Sequence, residues 1–277
     1  MKFKSRFALI LCAALWSVAR AQTPAVPASA AEAPAADANA GPPPSLVLTP
    51  AIVMVRCKPG QSTTHVLTIV NNTAREITFT MSTEDVVVRD GKRSFVAAGK
   101  IANGIASGAV TTPASVVVKA GEEASVQVTY TLPAETPQRA VVTFFHGGIV
   151  SAVPGSVALA ASMGTLVTFN LSNDYQVEAG PVQASLQTPT ANTILSEELH
   201  NRGSEPVLPR GVIVILNASG KRMAKASFAT QRLLPGERLT VAATNPAQLP
   251  PGHYRTFSSF EFERKVVTSA GEFTIPK

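Results

Sequence analysis

The stretch Ser125-Val126-Gln127-Val128-Thr129-Tyr130 alternates polar and apolar side chains along its whole length. Successive side chains of an extended strand point to opposite faces of a sheet, so this stretch predicts a strand with one face in the core and one in water. Similar runs occur on both sides of it, and no segment shows a convincing apolar period of 3.6 residues. The chain is therefore predicted to be all-β.

Turn-forming residues separate these runs at short intervals. They are Lys58-Pro59-Gly60, Asp90-Gly91, Ala120-Gly121, Pro154-Gly155, Asn201-Arg202-Gly203, Ser219-Gly220, Pro235-Gly236, Pro251-Gly252 and Ala270-Gly271. Val, Thr, Ala and Ser are abundant between them, which favours strands over helices. Many short strands divided by frequent turns are typical of a β-sandwich or barrel.

One phrase occurs twice: a Gly-Glu turn, an alternating strand, a Leu-Pro pair and a second strong strand. The first copy begins at Ala120-Gly121-Glu122 and the second at Pro235-Gly236-Glu237. A repeated order of elements indicates two copies of one fold. Since the chain is also too long for a single small sandwich, we predict two tandem immunoglobulin-like β-sandwich domains, at 46–174 and 175–277.

The N-terminus predicts export. Three basic residues within the first six precede an apolar run at 7–19, and Ala19-Arg20-Ala21 offers the small residues that signal peptidase reads. We expect residues 1–21 to be a signal peptide removed before Gln22. The mature chain would then lie in the periplasm or cell envelope and would not span the membrane. The alternatives are lipidation at Cys12 and a retained anchor, although a spanning helix needs roughly 20 apolar residues.

Residues 22–45 are mostly Pro and Ala, which predicts a disordered linker because few of their side chains can bury apolar area. The linker is either a tether that holds the folded part away from a surface or a disordered tail without a function. Behind it, Cys57 is the only cysteine of the mature chain, so no internal disulfide is expected. We interpret Cys57 either as a small buried hydrophobe or as a thiol that pairs with another chain.

The charge balance does not favour nucleic acid as a partner. Of the 24 Lys and Arg residues, four lie in the predicted signal, so the mature chain carries a net charge of about +2 against 18 Asp and Glu residues. No dense run of Lys and Arg with interleaved aromatic residues occurs.

No pattern of residues predicts catalysis or metal binding. The histidines are His65, His146, His200 and His253, and all are isolated in sequence. A metal site needs several ligands at matched spacing, which they do not supply. The sequence also lacks a Gly-x-Ser-x-Gly elbow and a glycine-rich phosphate loop before a helix. We therefore expect no enzyme activity, no bound metal and no cofactor.

Several short sequence features of the first half follow one another in the order found in a known protein family. The segment opens with strands at Leu46-Val47-Leu48 and Ile52-Val53-Met54-Val55, and a later strand ends in Asn71-Asn72. An aromatic-rich strand follows at Val141-Val142-Thr143-Phe144-Phe145. In this order they resemble the N-terminal domain of the periplasmic chaperones that assemble pili by the chaperone–usher route, over about 46–172. The second half matches only as another immunoglobulin-like unit.

The last strand of the first half carries apolar side chains spaced by two, over about fifteen residues between Val157 and Leu171. In the chaperone family, such a strand lends alternate side chains to a pilus subunit that lacks a strand. The resemblance implies a secreted protein or pilus-like subunit as the partner. The donor residues would then be Val157, Leu159, Ala161 and Met163. The alternative is that 157–162 is a loop and only 163–171 is a core strand.

The charged anchor of that family is not matched. Those chaperones hold the C-terminal carboxylate of the subunit with an Arg in the first strand and a Lys in the last. Here the first strand has no Arg before Arg56, which is later than the pattern requires, and 157–171 contains neither Lys nor Arg. We expect a periplasmic chaperone-like protein that lacks that anchor and holds a partner polypeptide by β-strand addition. We expect it to act in pilus or surface-structure assembly. The alternative is a structural or adhesive tandem immunoglobulin-like envelope protein without chaperone activity.

Overall fold

The computed structural model describes residues 44–149, 159–186, 193–245 and 248–276. The predicted signal at 1–21 lies outside these ranges, as does the predicted linker at 22–45 except for its last two residues. Within them, the regular structure consists of eighteen β-strands and one 3-10 turn at Ala106–Gly108. The all-β prediction is confirmed.

The first ten strands form two sheets. Their bounds are β1 Leu46–Thr49, β2 Ile52–Arg56, β3 Ser62–Asn71, β4 Ile77–Arg89, β5 Lys92–Ala97, β6 Ala109–Thr112, β7 Ser115–Val118, β8 Glu123–Thr131, β9 Ala140–Ile149 and β10 Leu159–Asn170. One sheet has the order β1-β3-β8-β6 and the other β2-β10-β9-β4-β5, with β7 also pairing with β4. One apolar core takes residues from both sheets, as in a β-sandwich.

The chain crosses from one sheet to the other at its beginning. β1 pairs antiparallel with β3, whereas β2 pairs parallel with β10. Pro50 and Ala51 lie between the two strands. Because proline has no backbone N–H to give to a ladder, the first pairing ends here and the chain is free to join the second sheet.

The core of the first sandwich is built on the alternation that predicted it. In the stretch 125–130 the three apolar side chains are fully buried, whereas Ser125 and Gln127 are exposed. Tyr130 packs edge-on against Phe169 of β10, with ring centroids 5.8 Å apart. Burial raises the pKa of Tyr130 to about 12. This contact joins the two sheets at the centre of the sandwich.

The remaining eight strands form two further sheets. Their bounds are β11 Val177–Ala179, β12 Gln183–Leu186, β13 Thr193–Asn201, β14 Arg210–Asn217, β15 Arg222–Ser227, β16 Arg238–Thr244, β17 Gly252–Phe262 and β18 Lys265–Ile275. In one sheet β13 pairs with β11, β12 and β16, and the other has the order β15-β14-β17-β18. A second apolar core takes residues from both, so the chain contains two β-sandwiches in tandem.

The repeated phrase forms the same corner in both halves. A glycine N–H donates to an asparagine carbonyl, and the N–H of that asparagine donates to the carbonyl of the glutamate after the glycine. The two trios are Asn71, Gly121 and Glu122, and Asn201, Gly236 and Glu237, with N to O distances of 2.7 to 3.0 Å. Both glycines have a φ of 74°, a conformation that favours glycine. The repeat is therefore one structural unit used twice, while the predicted domain boundary at 174–175 stays a prediction.

The two sandwiches contact each other within one compact unit, Pro44–Lys277. Leu234 packs against three apolar residues of β4 and β9 in a small cluster of its own. Arg93 donates two hydrogen bonds to the carboxylate of Glu237, at 2.6 and 2.9 Å. Arg139 and Glu205 form a second ion pair across the contact, at 3.3 Å. Apolar packing and buried charge thus both hold the halves together.

Asp85 predicts a pH dependence of folding stability. Its buried carboxylate accepts the N–H groups of Ile105 and Ala106, at 2.8 and 3.1 Å, while its second oxygen has no partner among the described residues. Burial raises the pKa of Asp85 above its ordinary value, and the two hydrogen bonds oppose this shift. The folded chain therefore binds the proton more tightly than the unfolded chain. The protonated carboxyl of Asp85 therefore contributes stability that is fully present below the ordinary pKa of aspartate. This contribution is lost as pH rises through the pKa of Asp85 in the folded chain.

The variant Asp85→Asn tests this, because its amide keeps the acceptor oxygen and resembles the protonated acid. We expect the free energy of unfolding of the wild type, relative to that of Asp85→Asn, to fall as pH rises from about 3 and then to level off. Urea unfolding across roughly pH 3 to 7 measures the difference, and buried Glu197, also raised in pKa, cancels between the two chains. A difference that stays constant over this range would contradict the assignment.

Candidate functional site

Half of β10 has a neighbour on only one side. β9 pairs with β10 from Leu159 to Thr168, but β2 covers the other side only from Leu166 to Asn170. The N–H of Leu166 donates to the carbonyl of Ala51 at 3.0 Å, at the point where this cover begins. Among the described residues, the segment Leu159–Thr165 is therefore an open sheet edge, which we call the open edge.

The direction of the backbone groups along the open edge follows from its hydrogen bonds. Phe169 donates its N–H toward the β9 side, to Arg139, whereas Leu166 donates toward the β2 side. The register with β9 is regular from Leu159 to Thr168. Because N–H and C=O groups of a strand alternate sides, even-numbered residues present theirs to the open side. Ala160, Ser162 and Gly164 thus offer three donors and three acceptors to an added strand.

The predicted donor residues lie on this edge in part. Val157 is outside the described residues, and Leu159 begins β10. Ala161 and Met163 are half-buried, and Met163 packs against the first core. The alternative of a loop at 157–162 is wrong for 159–162, which is strand. Partner binding by these four side chains stays a prediction.

A hydrogen-bonded row of side chains crosses the sheet to the open edge. His146 of β9 contacts the hydroxyl of Ser82 of β4 through Nε2 at 2.8 Å and the hydroxyl of Ser162 through Nδ1 at 2.9 Å. The ring of Phe144 stacks on His146 with centroids 5.7 Å apart. This row ties the open edge to two further strands, so the edge is held in an extended form. Sequence spacing gave no signal for it, because His146 lies 64 residues from Ser82.

The residues of β10, Leu159–Asn170, include no charged side chain. Thr165 is fully buried and its hydroxyl donates to the carbonyl of Pro50 at 2.8 Å. Arg56, the basic residue of β2, lies beside Asn170 at the far end of the pairing and forms an ion pair with Glu263. Arg56 is thus engaged at the end of β10 that is remote from the open edge.

Three further features of the described residues concern metal ligands, membrane-spanning helices and the free cysteine. No group of three or more His, Cys, Asp or Glu side chains there could hold a metal ion. No helix there has the length and apolar character to cross a membrane. Cys57 is a half-buried free thiol that packs against the first core. Burial is the larger cause, and the negative charge of Glu205 the smaller cause, of the raised pKa of this thiol.

No protein-family model matches the sequence, and no curated protein matches it either. Among solved structures, the chain is similar to fimbrial chaperones of the chaperone–usher type. The class 5 fimbriae chaperone CfaA has a TM-score of 0.42 and 12% identity, covering 82% of this chain and 99% of that one. The E. coli chaperone DraB has a TM-score of 0.41 and 15% identity, covering 83% and 98%.

A third similar structure is a chain of the pre-assembly complex between the chaperone CsuC and the tip adhesion subunit CsuE, from archaic chaperone–usher Csu pili of Acinetobacter baumannii. It has a TM-score of 0.42 and 10% identity, and the match covers 82% of this chain and 98% of that one. At such identities, what those proteins bind remains a property of those proteins.

Proposed function

We propose that the chain is a non-enzymatic, chaperone-like binding protein of the periplasm or cell envelope that holds a partner polypeptide by β-strand addition. The observation that carries this proposal is the half-covered β10: β2 begins at Ile52, opposite Leu166, so no described strand covers this side of Leu159–Thr165. Unpaired backbone groups at a sheet edge are a template for a further strand. The partner we propose is a secreted polypeptide or pilus-like subunit with a strand to contribute.

The length of the open edge supports one short strand. Seven residues lie between the start of β10 and the beginning of the β2 cover. At about 3.3 Å per residue, this segment spans roughly 20 Å, the length of an ordinary strand. Main-chain hydrogen bonds would supply affinity, and the alternating side chains of Leu159, Ala161 and Met163 would supply selectivity. Such a partner needs no metal, cofactor or nucleic acid.

The variant Ser162→Pro tests strand addition directly. Its missing N–H and its ring lie on the open side, so the β9 ladder keeps its hydrogen bonds and the fold is expected to persist. We expect Ser162→Pro to lose at least about tenfold in affinity for the partner, since a lost hydrogen bond and a steric block oppose the added strand. The measurement is co-purification of an exported polypeptide from periplasmic extract, followed by its identification and a binding titration.

Two further variants sharpen the result. Ser162→Ala keeps the backbone N–H and loses only the contact with His146, so we expect it to retain the partner. Leu159→Glu places a charge among the proposed donor side chains and should lose the partner. If Ser162→Pro and Leu159→Glu remain folded and retain every partner, strand addition is wrong. Display of the mature chain on the cell surface would then favour the structural or adhesive alternative.

A further inference from the structure

A cleft lies between β2 and the hairpin that joins β17 to β18. Its volume is about 430 Å³. Arg210, Arg264 and Lys265 bring three positive charges to its wall, and Glu261 and Glu263 bring two negative ones. Arg210 and Arg264 form no ion pair with any described residue. The wall therefore carries two arginines that form no ion pair, although Arg210 lies opposite Glu261 in the pairing of β14 with β17.

A buried arginine lies beside this cleft with weak compensation. Arg232 is 4% exposed, and its Nε has no hydrogen-bond partner among the described residues. Its Nη1 donates to the thioether sulfur of Met54 at 3.3 Å. A thioether is a weak acceptor, and a buried guanidinium without a carboxylate costs free energy. Such a residue indicates either long-range compensation or a missing anion.

The neighbouring carboxylates are already engaged. Glu263, whose negative charge favours the protonated form of Arg232, accepts a hydrogen bond from Arg56. Glu237 is held in a two-point ion pair by Arg93, which also donates to the backbone carbonyl of Arg232. Neither carboxylate forms an ion pair with Arg232. Arg232 is therefore a buried guanidinium that has no carboxylate partner among the described residues.

Met54 separates Arg232 from the cleft. Its side chain lines the cleft, is 46% exposed and contacts the guanidinium. Methionine is unbranched and changes rotamer readily, so it can yield to a ligand at low cost. An oxyanion that displaces the sulfur would replace a weak acceptor with a charged one, which forms a hydrogen bond roughly twice as strong as a neutral one.

We propose that this cleft binds an oxyanion, a carboxylate or a phosphate, with Arg232 as the principal ligand and Arg210 as an exposed second one. The site is lined by residues of the second sandwich and by Met54, the middle residue of β2, which pairs with Thr168 in the covered half of β10. It does not depend on strand addition, and the Ser162→Pro variant should bind the anion as the wild type does.

Thermal unfolding of the purified chain with inorganic phosphate, against chloride at equal ionic strength, tests the proposal. We expect phosphate to raise the midpoint of the wild type in a saturable manner, because a ligand of the folded state stabilises it by mass action. Arg232→Met should lose at least about tenfold in phosphate affinity. Arg222→Met, an exposed substitution on β15 outside the cleft wall, should respond as the wild type does.

Arg210→Met keeps the test decisive if Arg232→Met does not fold, since Arg210 is exposed and its loss should also weaken the phosphate response. Short peptides with a single Glu or Gln distinguish the source of the anion. Competition by the Glu peptide identifies a polypeptide carboxylate, and phosphate binding without it identifies free phosphate. Equal phosphate responses in the wild type, Arg232→Met and Arg210→Met would overturn the site.

Discussion

Replacing Glu205 with alanine is expected to destabilise the chain by about 3–5 kcal/mol. The Glu205 side chain has no exposed surface, and its carboxylate forms an ion pair with Arg139 at 3.3 Å. It also accepts the N–H of Leu171 at 2.9 Å and the hydroxyl of Ser172 at 2.8 Å. Alanine would leave the largely buried Arg139 guanidinium without its counter-charge, with only the Nη1 bonds to backbone carbonyls remaining. The N–H of Leu171 would also lose its acceptor. Urea unfolding followed by far-UV circular dichroism measures the loss.

Two controls separate burial from charge. Glu205→Gln keeps the volume and an acceptor oxygen, so its cost should be smaller, about 1–3 kcal/mol. Glu178→Ala breaks the exposed pair with Arg202, whose atoms are 2.8 Å apart, and should leave stability nearly unchanged because solvent screens that pair. A loss for Glu205→Ala no larger than that for Glu178→Ala would show that the buried pair does not hold the two sandwiches.

Replacing Phe169 with alanine is expected to cost about 3–5 kcal/mol as well, through a cavity rather than a charge. Phe169 lies in the covered half of β10, has no exposed surface and packs edge-on against Tyr130. The matched control is Phe95→Ala on β5, where the ring is 53% exposed and the loss should be about 1 kcal/mol or less. Equal losses in the two variants would contradict the assignment of Phe169 to the core.

The two halves of β10 thus have separable roles in these predictions. Phe169→Ala should unfold the chain at lower urea concentration, and Ser162→Pro should leave the unfolding midpoint nearly unchanged while the partner is lost. The difference arises because β2 covers the strand from Leu166 onward and not before it. One strand can therefore support the core at one end and offer its backbone at the other.

Local pattern was sufficient for much of the fold. The alternation at 125–130 predicts its own burial because strand geometry assigns neighbouring side chains to opposite faces, whatever the strand pairs with. The Gly-Glu turns predict the repeated corner because a φ of 74° at Gly121 and Gly236 is a local property of glycine. For the donor stretch, local pattern left strand and loop at 157–162 open, and the structure shows strand from Leu159 onward.

Local sequence pattern could not predict the contacts between segments that are distant in the chain. The row of Ser82, His146 and Ser162 joins three strands, and the contact of Met54 with Arg232 spans 178 residues. Each of these residues is ordinary in its own stretch of sequence. Their combination depends on which strands become neighbours, and hydrophobic alternation does not encode that choice.

The sequence by itself determined that this chain is all-β, that it repeats one sandwich twice, and that its first half ends in a long alternating strand. These properties follow from side-chain periodicity and turn chemistry, which act over a few residues. Only the tertiary structure decided which part of that strand is open. The answer depends on where β2, more than a hundred residues earlier, joins and leaves the sheet, because a backbone group is free only where no other strand has reached it.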